Sequence, residues 1–186
     1  MMPYSIAPAT FAATCLISLF SFAAYAEVQD SDADGFVSVH ELVLEAAPAD
    51  AYAAFVDVAA WWDASHSFGG DAAALSLDDR AGGCFCERTS ELSVEHLRVI
   101  NVERGRSVVL SGGLGPLQAL AVRGTMAFRF EPVPDRDDRS LLRYRYVVGG
   151  YAPDGLAAWA EPVDRVQLGQ LRRLQSFIAE GVAPNR

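Results

Sequence analysis

Lysine is absent: all 15 basic residues among the 186 are arginine. Schiff-base chemistry and a lysine general base are therefore excluded. Basic runs are missing too, and 24 acidic residues leave a formal charge of −9. No nucleic acid or anionic membrane surface is expected as a partner for such a chain. Cysteine is scarce, at three residues, and the first 26 positions carry no charged side chain. The apolar run there, "FAATCLISLFSFAA", is too short to span a bilayer, so no membrane anchor is expected. It leads into "AYA" before Glu27, an A-x-A cleavage site. Residues 1–26 thus read as a secretory signal peptide, which implies export to the periplasm or the medium. Residues 27–34 read as an acidic flexible leader, 35–181 as one domain able to build a core, and 182–186 as a tail.

What is present begins with a strand. Phe36 to Ala46 is rich in β-branched and apolar residues, with Val37, Val39 and Val43 on one face and Phe36, Leu42 and Leu44 on the other. Pro48 then opens a helix carrying Tyr52, Phe55, Val56 and Ala59 at helical spacing. A loop-like stretch with a short strand near Leu75 to Leu77 follows. After it come the strands "CFCERTS", "SVEHLRVINV" and "RSVVLSG". "TMAFRFEP" and "LLRYRYVVGG" predict a hairpin. Met126, Phe128 and Phe130 share its dry face with Leu142, Tyr144, Tyr146 and Val148, while Arg143 and Arg145 point to water. A helix is predicted over Pro162 to Glu180, striped by Val163, Val166, Leu171, Leu174, Phe177 and Ile178 and capped by Gly181. The order is that of an α+β domain with a helix laid on a curved antiparallel sheet.

Trp61-Trp62 after the first helix, then "LSLDDRAGGCFCE", "GGLGPLQALAVRGTM" and "YVVGGYAPDGL", resemble the SRPBCC superfamily, the START and birch-pollen-allergen helix-grip fold. The resemblance runs from about Gly35 to Glu180 and looks like the branch of polyketide-cyclase-like and chaperone-ATPase-activator-homologue domains. It implies a bent sheet gripping the C-terminal helix around an apolar cavity. Members bind lipids, sterols or polyketides, and some catalyse cyclisation or dehydration. The family has no universal catalytic motif, so no catalytic residue carries over, and fold alone does not fix activity.

"DSDADGFVSVHE" matches the spacing of an EF-hand calcium loop, with Asp30, Asp32, Asp34, Gly35 and Glu41 in place. A calcium loop of that kind needs flanking helices, and signal cleavage would leave only "EVQ" ahead of it. In extended chain, Glu41 would lie roughly 20 Å from Asp34. The stretch reads as a solvated leader, with a weak solitary site on Asp30, Asp32 and Asp34 as the alternative; otherwise no metal and no cofactor is expected.

Cys84 and Cys86 fall on one strand face with Cα atoms about 6.5–7 Å apart, at the limit for an unstrained disulfide. They read as buried small hydrophobes, with a disulfide or a metal pair as alternatives. His66, in "DASHSFGGD", is a loop histidine or a cavity-mouth acid–base. His96 and Arg98 share a strand face, which is either inward or outward. The cavity-wall candidates are therefore Trp61, Trp62, His66, Cys84, Cys86, Arg98, Met126, Phe128, Tyr144, Tyr146 and Trp159. The glycine-rich "GGLGPLQAL" and "GGYAPDGL" read as gates. The reading is an exported binding protein for a small apolar or aromatic ligand. The alternatives are a cyclase- or dehydratase-like enzyme using a cavity His or Tyr, and a protein-binding accessory factor.

Overall fold

A computed structural model describes residues 27–181. The segment read as a signal peptide, 1–26, and the tail, 182–186, lie outside the described residues. Eight strands form one antiparallel sheet: β1 (Glu27–Ser31), β2 (Gly35–Leu44), β3 (Leu75–Leu77), β4 (Cys84–Arg88), β5 (Ser93–Glu103), β6 (Ser107–Gly112), β7 (Ala121–Val133) and β8 (Arg136–Tyr151). Their order is β1-β2-β8-β7-β6-β5-β4-β3. From β3 to β8 each strand pairs with its successor in sequence; the β2–β8 seam is the non-local one, with Phe36 opposite Val148 and Leu42 opposite Leu142. The sheet is open, and its inner face is covered by α1 (Pro48–Val56), α2 (Val58–Trp61) and α3 (Ala157–Ala179).

The hairpin is as the alternation predicts. Met126, Phe128, Phe130, Leu142, Tyr144, Tyr146 and Val148 are all buried, while the arginines between them face water. The turn is tight, only Pro134 and Asp135, with Asp135 in the left-handed region at φ 60°. Phe55 reaches from α1 into this face, its ring 4.5 Å from Phe128 and 5.6 Å from Phe130 between centroids. Such aromatic pairs add to the area they bury.

Three expectations are corrected. Residues 27–34 do not form a flexible leader: Glu27–Ser31 is an edge strand paired to β2, and the acidic run makes the connecting turn. There the Asp32 carboxylate accepts from the amides of Asp34 (2.8 Å) and Gly35 (2.9 Å), an Asx turn that spends its oxygen on its own backbone. Glu41 lies on the outer side of the sheet, paired to Arg143. Among the described residues, no group of three or more His, Cys, Asp or Glu is arranged to hold a metal ion. Second, α3 begins at Ala157, five residues before Pro162, which stands inside it. The extra turn is retained because Leu156 and Ala160 are buried in the core, and packing outweighs one lost backbone bond. Third, the buried face of β2 carries Ser38 and His40 between Phe36, Leu42 and Leu44, so it is not uniformly apolar.

Gly124 on β7 is forced by its neighbour: a Cβ there would stand 2.3 Å from the ring of the fully buried Tyr146. Gly124→Ala is expected to lower stability by about 1–3 kcal/mol through overpacking, measured as a fall in the urea midpoint without a change in slope.

Candidate functional site

A cavity of about 390 Å³ opens between the loop that follows α2, the β6–β7 connection and the N-terminal half of α3. Trp62, Phe68, Trp159, Pro162, Val163 and Val166 give it a predominantly apolar wall. Leu114, Gly115 and Pro116 complete the rim, and Ser65, His66, Ser67, His96 and Gln167 supply polar atoms. No Asp, Glu or Arg stands among these lining residues.

The loop is built by short-range bonds. The Trp62 indole N–H donates to the His66 carbonyl (3.2 Å), and the Asp63 carboxylate accepts from the Ser65 amide (3.0 Å) and hydroxyl (2.8 Å). These bonds, the Ser65 amide foremost, hold the Asp63 carboxyl below its ordinary pKa. Gln170 of α3 accepts from the Asp63 amide at 2.9 Å, which docks the loop on the helix.

The far end of the loop is clamped by a carboxylate with no exposed surface. Glu87 of β4 accepts from the amides of Phe68 (2.9 Å) and Gly69 (2.5 Å) and from His96 Nε2 (3.1 Å). Gly69 is required, since a Cβ there would lie 2.8 Å from Glu87 Oε1. Burial pushes the Glu87 pKa up, but the two amides and His96 outweigh it and leave the group below its ordinary 4.5. His96 is 4% exposed, its ring stacked between Phe85 (4.8 Å) and Phe68 (5.7 Å). Burial lowers its pKa from 6.5, against the opposing pull of Glu87.

His96 and Arg98 do not share a face. Phe85 pairs with Leu97 but Cys86 pairs with Glu95, so His96 is the extra residue of a β-bulge, and just beyond it Leu97 and Val99 turn inward, until a second irregularity at Ile100. His96 faces the cavity; Arg98 lies outside, bonded to Glu95. Cys84 and Cys86 are also on that outer side and form a disulfide, their Cα atoms 5.4 Å apart beside the bulge. The expected spacing of an ideal strand is thus shortened into disulfide range. An Arg88 nitrogen lies 3.6 Å from the Cys84 sulfur.

Of the wall candidates, the structure brings Trp62, His66 and Trp159 to the cavity. Trp61, Met126, Phe128, Tyr144 and Tyr146 are core side chains outside its lining; Cys84 and Arg98 belong to the opposite surface, and Cys86 is buried beside them. Of the two glycine-rich stretches, the first contributes Leu114 to Pro116 to the rim and the second contributes nothing to the lining. Sequence reasoning missed Phe68, Glu87, Gln167 and Pro162. The double glycine after Phe68 was the available signal for a loop held tightly against a side chain.

A second buried polar cluster fastens α3 to β2. Ser38 Oγ donates to Asp164 Oδ1 at 2.5 Å, and His40 Nε2 lies 2.9 Å from the same oxygen. Serine and histidine converge on one carboxylate atom, so this is not the relay of a hydrolase triad. The His40 ring stacks on Tyr144 (5.6 Å), whose phenol burial pushes to a much higher pKa.

Glu87→Ala would orphan two amides and the His96 N–H, and a loss of about 3–5 kcal/mol is expected; Glu87→Gln should retain more of the stability. The pH dependence follows in sign. The folded state resists protonating His96, so stability is full above about pH 6.5 and falls as the unfolded chain takes up that proton. The Glu87 contribution is lost only below about 4.5, as pH falls towards its lowered folded value. Urea midpoints at pH 7.5 and 5.5 should differ more for the wild type than for His96→Asn.

No family model matches the chain, and no curated protein matches it in sequence. Solved structures do. CalU16 from Micromonospora echinospora is 14% identical, with a TM-score of 0.54 over 84% of this chain and 86% of that one. Protein MLL2253 from Mesorhizobium loti is 15% identical, with a TM-score of 0.56 over 77% and 97%. Ara h 8.0201 is 9% identical, with a TM-score of 0.52 over 77% and 97%. At these identities the likeness is one of fold alone, an open antiparallel sheet gripping a long C-terminal helix.

Proposed function

We propose that the protein is an exported binder of a small, neutral, apolar or aromatic molecule, held in the cavity between the 62–68 loop and α3. The carrying observation is the cavity itself: about 390 Å³, walled by two tryptophans, a phenylalanine and the aliphatic face of α3. Its volume falls in the range of small-molecule sites, and its few polar atoms are enough to orient a ligand. The lining holds no carboxylate or guanidinium to pair with a charged ligand. Export is supported by the apolar leader with its A-x-A site and by the Cys84–Cys86 disulfide, a bond at home in an oxidising compartment.

The second reading is a cyclase- or dehydratase-like activity. It is favoured by two histidines, His66 and His96, among the cavity's lining residues, the second oriented by a carboxylate. An accessory factor that docks on proteins has less support: the large exposed hydrophobics, Phe68, Ile100 and Tyr151, sit on three separate elements.

Titration with N-phenyl-1-naphthylamine, a neutral fluorescent probe, is expected to show one saturable site with Kd on the order of micromolar. Val166→Trp, which fills the cavity from α3, should weaken it by at least about tenfold, or 1.4 kcal/mol, with little change in Tm. Absence of saturable binding, or binding indifferent to Val166→Trp, would sink the carrier reading.

A further inference from the structure

One of the cavity-lining side chains, His96, carries a buried polar atom whose chemistry is fixed by its neighbours. Glu87 is an acceptor only, because its carboxylate is already held by the Phe68 and Gly69 amides. The contact between His96 Nε2 and Glu87 Oε2 therefore places the imidazole proton on Nε2. Nδ1 is left as a bare lone pair. It is buried and has no hydrogen-bond partner among the described residues. The ring cannot readily turn to relieve this, since the buried Phe85 stacks on it at 30° to its plane and Glu87 holds Nε2. A buried acceptor without a donor is a cost that a bound molecule can remove.

We infer that His96 Nδ1 is the specificity-determining acceptor of the cavity, and that the preferred ligand is a neutral aromatic bearing one O–H or N–H donor, such as a phenol. This rests on the ligand-binding reading above and narrows it. The aromatic body packs against Trp62 and Trp159, and its donor reaches the imidazole. Phe68, which stacks on His96 and is 56% exposed, is the ring that shifts to admit the donor. An ether or hydrocarbon of the same shape fills the same space and leaves Nδ1 unmet. Discrimination on the order of tenfold is what one such hydrogen bond supports.

The test compares 2-naphthol with 2-methoxynaphthalene by calorimetry at pH 7.5, where both are neutral. Wild-type protein should bind the naphthol about tenfold more tightly. In His96→Phe the two affinities should become equal, with the ether binding as before. Since that variant also strips Glu87 of a partner and could misfold, the ¹⁵N spectrum of histidine-labelled wild type gives a second measure. The non-protonated Nδ1 signal of His96 should move on adding the naphthol and stay put with the ether. Equal affinities in the wild type, or a proton found on Nδ1, would overturn the inference while leaving the carrier reading intact. If neither probe binds, the carrier reading falls and the inference falls with it.

Discussion

The candidate site depends on the buried carboxylate of Glu87. A charge with no exposed surface is costly unless every lone pair is engaged, and here three donors converge on it from two chain segments. One group thereby sets the height of the 62–71 loop above the sheet, the tautomer of His96 and the need for glycine at position 69. The cavity is the space left when that loop is held down at one end by Glu87 and at the other by Gln170.

The aromatic residues form a continuous path from the core to the cavity. Phe130 touches Phe55, Phe55 touches Trp61, and Trp61 touches Trp62, each pair within 6.1 Å between centroids. Trp62 then meets Phe85, Phe85 meets His96, and His96 meets Phe68 at the mouth. The cavity wall is thus an extension of the core's own packing. Its rigid side is the sheet and its adaptable side is Phe68.

Much of the fold was legible because alternation and helical spacing depend on local geometry. Met126, Phe128 and Phe130 needed only their parity to be assigned inward, and Pro48 and Gly181 marked helix ends by their backbone chemistry. The site was less legible, for three physical reasons. A bulge at His96 inverts the parity as far as Val99 and a second irregularity at Ile100 restores it, and one strand's sequence does not show where its partner slips. Glu87, Asp164, Gln167 and Gln170 are buried polar residues, which any reading by hydropathy sends to the surface. Cys84 and Cys86 look too far apart on an ideal strand and are not so on this one. The acidic run at Asp30 to Asp34, read as a solvated leader, instead turns the chain between two paired strands, and its spacing suits an Asx turn there.

The β2–β8 seam separates residues about a hundred positions apart, as between Glu41 and Arg143, which are 102 apart in sequence. Among the described residues, every other strand pair joins strands that are neighbours in sequence. The six strands from β3 to β8 can therefore form a meander step by step, with small loop-closure entropy at each turn. The β1–β2 hairpin can join only once that meander is nearly complete, and α3 follows it in the chain. Loop closure of this length places the rate in the slow range for small domains, on the order of milliseconds to seconds. Until then the inner edge of β8 stands unpaired, an open row of backbone donors and acceptors that another chain could meet before β2 does.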